Sequence, residues 1–312
     1  MAENKNRAVY GVLVMVFLFF LILMIFASYT IKVFNSENDA LNSLSKGKGQ
    51  IAVVEVNGVI MEARPTIELL LRAEEDENIK AVILRINSPG GAVGPTQEIF
   101  EEIRRIDGAW DASKGKEGKP IFGSFGSIAA SGGYYLGAAT RRIYASPGTL
   151  TGSIGVIMQF MDASKLIELT KVKPMNIKAG KYKDIGAPTK TMSMEEEGLL
   201  NGMVQGVHQQ FIRDILLLRK KKIKGSLIDH AQGQIFSGED AWKLGLVDEL
   251  ASMWSAGRQI HKELNLKGKF GLKYVVKKKK MSVMDILENL DEATSNINFV
   301  SWFKGVPLLM AK

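Results

Sequence analysis

A serine at the exit of an apolar strand, a glycine turn and a group of lysines are the residues whose types best suit chemistry. In Gly123-Ser-Phe-Gly-Ser-Ile-Ala-Ala-Ser-Gly-Gly-Tyr-Tyr135, Ser131 stands where an apolar run turns through small residues into a helix. Asn87-Ser-Pro-Gly-Gly91 supplies a tight turn whose backbone N–H groups can face a developing negative charge. Lys178-Ala-Gly-Lys-Tyr-Lys183 supplies amines, one of which can act as a base once it has lost its proton. Nucleophile, oxyanion donors and base are the parts that acyl transfer requires. The set points to a hydrolase.

Composition narrows the chemistry further. The chain has 312 residues and no cysteine, so thiol nucleophiles, disulfides and cysteine metal sites are excluded. Its three histidines, His208, His230 and His261, fall in no metal-ligand or base motif and read as surface residues. A Ser-His-Asp triad is thus poorly supplied, and lysine is the better-stocked base. No metal and no cofactor is expected. The net charge of +8 is spread over lysine-rich loops without interleaved aromatics, which suits anionic lipid better than nucleic acid.

The N-terminus sets the expected location. Residues 8–31 carry no charge and consist mainly of Val, Leu, Ile, Met and Phe. As a helix they would extend about 36 Å, enough for a hydrocarbon core of about 30 Å. A cleaved signal peptide would have a shorter apolar run and a small-x-small site, for which Ala27-Ser-Tyr29 is a weak candidate. Lys5 and Arg7 precede the span, whereas Lys32 after it is soon followed by Glu37 and Asp39. The positive-inside rule then keeps residues 1–7 in the cytoplasm and sends the rest across. Residues 32–50 read as a polar linker.

Beyond the linker, strands and helices alternate. Ile51 to Val56, Ala81 to Ile86 and Ile121 to Phe125 read as strands, with helices over Pro65 to Ala73 and Thr96 to Ile106. Ile128 to Ala139 reads as a small-residue helix, Ile143 to Ser146 as a strand, and Val156 to Phe160 and Met175 to Lys178 as continuations of the pattern. Met192 to Lys224 reads as a long helix with an acidic first turn and a basic last turn, both suited to its dipole. The alternation predicts an α/β fold, with a mainly parallel sheet flanked by helices.

Five stretches make the pattern specific. These are Ser131-Gly-Gly-Tyr-Tyr135, Thr149-Leu-Thr-Gly-Ser-Ile-Gly155, Lys178-Ala-Gly-Lys-Tyr-Lys-Asp184, Gly233-Gln-Ile-Phe-Ser-Gly238 and Gly245-Leu-Val-Asp248. Together with Asn87-Ser-Pro-Gly-Gly91, in this order, they resemble the short-form signal peptide peptidase A family. Those are S49 serine peptidases of the Clp protease/crotonase superfamily. The resemblance covers about Ile51 to Leu250 and includes the anchor. Gln234 departs from the arginine common in the family, and Gly186-Ala187 replaces a commoner serine-containing pair.

The resemblance implies a ClpP/crotonase-like domain over residues 51–265, preceded by one transmembrane helix and followed by a basic, amphipathic tail over 266–312. It implies Ser131 as nucleophile, Lys183 as general base, Ser153 as the hydroxyl orienting that lysine, and Gly91 and Gly132 N–H as the oxyanion hole. A neutral lysine needs apolar burial or a neighbouring cation, for which Lys178 and Lys181 are candidates. Asp184 is a candidate to steady the lysine loop. The implied protein is an endopeptidase of the bacterial inner membrane, with its catalytic domain on the extracytoplasmic side. It would degrade signal peptides left after preprotein processing, in a ring whose serine and lysine come from neighbouring protomers.

Taken singly, Ser131 also suits close helix–sheet packing, Lys183 a solvated loop and Ser153 a turn. A crotonase-like acyl-CoA enzyme and a catalytically silent membrane scaffold therefore stand as alternatives. A groove for apolar peptides would draw on Ala81 to Ile86, Ile121 to Phe125 and the loop at Ala92-Val93. In the tail, Lys277 to Lys280 reads as a solvated charge run. The apolar clusters after it suit packing on the domain, contact with the membrane, or occupation of the groove.

Overall fold

The structure is a computed structural model that describes residues 49–276. The expected anchor, nearly all of the linker and the tail beyond residue 276 lie outside the described residues. No helix among the described residues is long and apolar enough to cross a membrane.

Three apolar segments form the centre of the sheet: β1 (Ile51–Asn57), β2 (Ala81–Ser88) and β3 (Ile121–Ala130). They pair in parallel, β1 with β2 in register from Ile51↔Ala81 to Asn57↔Asn87, and β2 with β3 from Val82↔Ile121. Parallel neighbours need crossovers, here α1 (Arg64–Glu75) and α2 (Val93–Ala112). After β3 the chain enters α3 (Gly132–Ala138), then short strands β4 (Ile143–Ala145) and β5 (Leu150–Gly152). Both pair in parallel with β3, β4 near its start and β5 at its end. Helix α4 (Ser164–Leu169) is followed by the long α5 (Met194–Arg219) and the short α6 (Leu227–His230). The described chain closes through β6 (Ile235–Ser237), α7 (Gly238–Lys243), β7 (Glu249–Leu250), α8 (Met253–Glu263) and β8 (Leu272–Tyr274).

Within this sheet β6 alone is antiparallel, against β5, so the architecture is α/β with a mainly parallel sheet. The sheet takes β8 from beyond residue 265, in parallel with β1.

Alternation along the strands gives the sheet two apolar faces. Ala52, Val54, Val56, Leu84 and Ile86 face a core shared with α1, α2 and α3. Ile51, Val53, Ala81, Ile83 and Phe122 face a second core closed by Met253, Ala256 and Ile260 of α8. Each fully buried aliphatic side chain contributes about 1.5–3 kcal/mol.

Two expectations about elements are corrected. Ile128 to Ala130 extend β3 instead of opening a helix, because they pair with Leu150 to Gly152. Val156 to Phe160 and Met175 to Lys178 form no strand; Ile157, Met175 and Ile177 are exposed and have no sheet edge to join. The long helix begins with a capping box: Ser193 accepts from Glu196 N–H, and the Glu196 carboxylate accepts from Ser193 N–H.

Candidate active site

Ser131 leaves β3 under backbone constraint. The last pair of the β3–β5 ladder is Ala130↔Gly152. One residue on, Ser131 N–H donates to Gly152 O at 2.8 Å, and its carbonyl accepts from Tyr135 N–H at 2.9 Å to open α3. Between these anchors Ser131 has φ 53° and ψ −119°. That region costs a non-glycine residue about 1–3 kcal/mol and persists only where the surroundings enforce it. Ser153, one residue past the same ladder on β5, also has positive φ, at 50°, and its N–H donates to Gln234 O at 2.6 Å. The register therefore sets the two serines opposite each other where the strands part.

The glycine turn is pressed against this corner. Asn87 Oδ1 accepts from Ser127 and Ile128 N–H at 3.1 and 3.3 Å, tying the turn to β3. Buried Ser88 Oγ accepts from Gly90 N–H at 3.1 Å. Gly90 has φ 102°, and a Cβ there would lie 2.7 Å from Gly132 N and 3.0 Å from Ser131 Cβ. Gly91 bridges to Ile60, where a Cβ would meet the Ile60 carbonyl oxygen at 2.0 Å. That bridge uses Gly90 O and Ala92 N, so the peptide N–H of Gly91 faces away from Ile60. Gly132, as the first residue of its helix, has no carbonyl one turn earlier to receive its N–H.

Gly91, Ser131 and Gly132 share one cleft. Its walls are Val93, Thr96 and Gln97 from α2, Tyr135 from α3, Gly155 to Ile157 from the loop after β5, and Val207 and Phe211 from α5. Of the loop Ala92-Val93 expected to line an apolar groove, Val93 stands in this cleft and Ala92 does not. The strands Ala81 to Ile86 and Ile121 to Phe125 do not, because almost all of their side chains are core. Tyr135 closes the cleft between the rings of Phe100 and Phe211, centroids at 4.5 and 4.9 Å. Its hydroxyl donates to Asp214 at 2.5 Å. Burial, and then the bond to that carboxylate, push the phenol well above its ordinary range, so it stays a neutral donor. Thr96, Gln97, Val207 and Phe211 were legible only as helix positions, since facing a cleft is a tertiary property.

Lys183 is elsewhere. It lies exposed in the turn after Gly180 and is absent from the walls of the cleft. Lys178 pairs with Asp184 at 2.5 Å and Lys181 with Glu195 at 2.5 Å, so neither offers Lys183 the free cation expected of it. Lysine donation holds the Asp184 carboxyl down at about 2. Lys183 itself has no ion pair or side-chain hydrogen bond among the described residues. Helix α5 sets the separation: from Glu195, beside the lysine turn, it rises about 18 Å to Val207 and about 24 Å to Phe211 in the cleft. The chain thus gathers Ser131, Gly91 and Gly132 in one cleft, sets Ser153 beside Ser131 by strand register but not in the cleft wall, and leaves Lys183 apart. The histidines are half-buried, with His230 against Phe236 and His261 against Phe270, and none lines the cleft.

Behind α3 sits a buried charge that the sequence placed at a helix end. Arg219 is 1% exposed and donates to Asp248 at 2.9 Å and to Gly245 O at 3.1 Å. Lys222 pairs with the other Asp248 oxygen at 2.9 Å, and Tyr134 OH donates to Leu246 O at 3.1 Å. Burial pushes the Tyr134 phenol up to about 12. The Ser131 helix is thereby supported from below.

Comparison with known proteins gives the family of the chain. The model of "Peptidase family S49" matches residues 113–267. A candidate protease of Synechocystis sp. is 34% identical over 66% of this chain and 73% of its own length. A candidate signal peptide peptidase of Enterococcus faecium is 30% identical over 75% of this chain and 70% of its own. Protease 4 of Salmonella typhi is 33% identical over 65% of this chain, which spans 32% of that longer protein. On these matches, the chain belongs to peptidase family S49, among relatives that include signal peptide peptidase and protease 4.

Proposed function

We propose that the chain is a membrane-anchored serine endopeptidase of the bacterial inner membrane that degrades signal peptides after their release from preproteins. The observation that carries this reading is the strained Ser131, set in one cleft with Gly91 and Gly132. In this reading Ser131 Oγ attacks the scissile carbonyl carbon and passes its proton to a neutral Lys183 amine. The oxyanion lies between Gly91 and Gly132 N–H, where one donor is worth about 2.7–4 kcal/mol in the transition state. The lysine then protonates the leaving amine, and water releases the acyl group from Ser131. Ser153, opposite Ser131, orients the lysine.

The lysine comes from a neighbouring copy. Support for this is the distance of the lysine turn from its own cleft and the apolar surface around that turn. On the chain leading into the turn, Met161, Leu169, Met175 and Ile177 are each more than two-thirds exposed, an arrangement that favours burial by a partner. A ring of copies would give every serine a lysine and supply the burial that a neutral amine requires.

The anchor at residues 8–31 holds the domain on the extracytoplasmic face and concentrates peptides emerging from the bilayer. Apolar walls at Val93, Val156, Ile157, Val207 and Phe211 suit the Leu, Val, Ala and Phe of signal-peptide cores. Two measurements test this together. A fluorophosphonate probe should label the wild-type protein at Ser131 and leave Ser131→Ala unlabelled. A peptide library should show cleavage after apolar residues, with stably folded domains left intact. Preference for Lys or Arg before the cut, or labelling that survives Ser131→Ala, would rule the reading out.

A further inference from the structure

The lysine turn is tied on both sides of Lys183 to the first turn of α5. On one side, the Tyr182 hydroxyl and Lys181 both reach the Glu195 carboxylate. On the other, Asp184 accepts from Lys178 at 2.5 Å and from Lys190 at 3.1 Å. Lys190 also pairs at 2.5 Å with Glu196, a buried carboxylate that closes the capping box on Ser193. Exposed ion pairs taken singly contribute little, but here they form a connected set around one short turn. Of the four lysines between Lys178 and Lys190, only Lys183 has no carboxylate partner among the described residues.

We infer that Asp184, Glu195 and Glu196 are positioning residues that present Lys183 to the serine of the neighbouring copy. The inference rests on the proposed shared Ser131–Lys183 site and names the device that delivers its base. The acids do two things. They fix the backbone on either side of Lys183, and they occupy the competing amines, so that the one free amine of the turn projects outward. Because Glu195 and Glu196 belong to the helix that also carries Val207 and Phe211, the clasp sets the lysine relative to a rigid rod.

The test asks which chain must carry the clasp. Full-length Lys183→Ala supplies Ser131, and full-length Ser131→Ala supplies Lys183, so mixed detergent-solubilised chains contain hybrid sites. Adding Asp184→Asn to the Ser131→Ala chain should lower the recovered kcat about tenfold or more, with KM unchanged, as expected for a misplaced catalytic group. Asp184→Glu at the same place should restore most of it. Adding Asp184→Asn to the Lys183→Ala chain should leave the recovered kcat within about twofold, because that chain lends no base. Equal losses in both placements would show a general folding role and overturn the inference, as would no loss in either. If the unmodified mixture recovers nothing, the shared site itself fails, and Asp184→Asn in the otherwise intact chain decides the clasp. There an unchanged kcat overturns it, and a fall in kcat at constant KM sustains it.

Discussion

Ser131→Ala and Lys183→Ala should each lower peptide hydrolysis by at least about a thousandfold while leaving the circular dichroism spectrum and unfolding midpoint near wild type. Ser131→Ala removes the oxygen proposed to form the acyl intermediate at the corner of β3 and α3. Its methyl group fits where the hydroxymethyl stood, so the fold has no reason to change. Lys183→Ala removes an exposed side chain with no partner among the described residues, so its effect on stability should be small. Lys178→Ala and Lys181→Ala should reduce the rate without abolishing it, since each retains the free amine. Because the base must be neutral, the wild-type rate should rise toward alkaline pH, and replacing any of the three histidines should not alter that rise. A flat profile, or full activity in purified Lys183→Ala, would move the base elsewhere.

The largest stability effect should come from Arg219. Arg219→Ala removes a guanidinium from a site that is 1% exposed and leaves Asp248 with Lys222 as its remaining cation. Breaking such a buried pair from one side costs about 3–5 kcal/mol. Burial works against the Asp248 charge, yet the Arg219 and Lys222 cations and the Ile143 N–H outweigh it and hold its carboxyl below the ordinary range. A carboxylate with a depressed value in the folded state stabilises the fold fully at neutral pH. That contribution is lost as pH falls below the unfolded value of about 3.9. The Arg219→Ala deficit should therefore be large at neutral pH and shrink on acidification. Urea denaturation across that pH range checks it; a loss below about 1 kcal/mol at neutral pH would mean that the pair stabilises little. Adding Asp248→Asn to Arg219→Met should recover part of the loss, because the buried carboxylate goes with its buried cation, and Lys222 keeps solvent and the Arg141 carbonyl as partners.

Much of the scaffold was legible because its signals are local. The apolar runs at Ile51, Ala81 and Ile121 declare buried strands, and Ser193 with Glu196 declares a helix start before any tertiary contact is known. The extension of β3 through Ile128-Ala-Ala130 was not legible. Small residues carry no periodicity, and what makes them strand is pairing with β5, a partner that also appears only in the fold. Val156 to Phe160 misled for the converse reason: an apolar run forms a strand only where an edge receives it. Ser131, Gly91 and Gly132 were identifiable as a set from their order, and the fold gathers them at one corner. The pairing of Asp184 with Lys190, and of Glu195 with Lys181 and Tyr182, could not be read from spacing, because it depends on how the turn folds back on α5. Arg219 looked like a cation matched to a helix dipole. Its burial follows from Asp248, which comes close only through the packing of β4 and β7.

The proposed shared site joins Ser131 of one copy to Lys183 of the next. It is tested most directly by mixing two full-length inactive proteins, Ser131→Ala and Lys183→Ala, in detergent under conditions where subunits exchange. A shared site predicts that hydrolysis, absent from each protein alone, returns on mixing and tracks the fraction of hybrid interfaces. Silence in a mixture whose subunit exchange has been demonstrated independently would contradict it and require serine and base to lie within one chain.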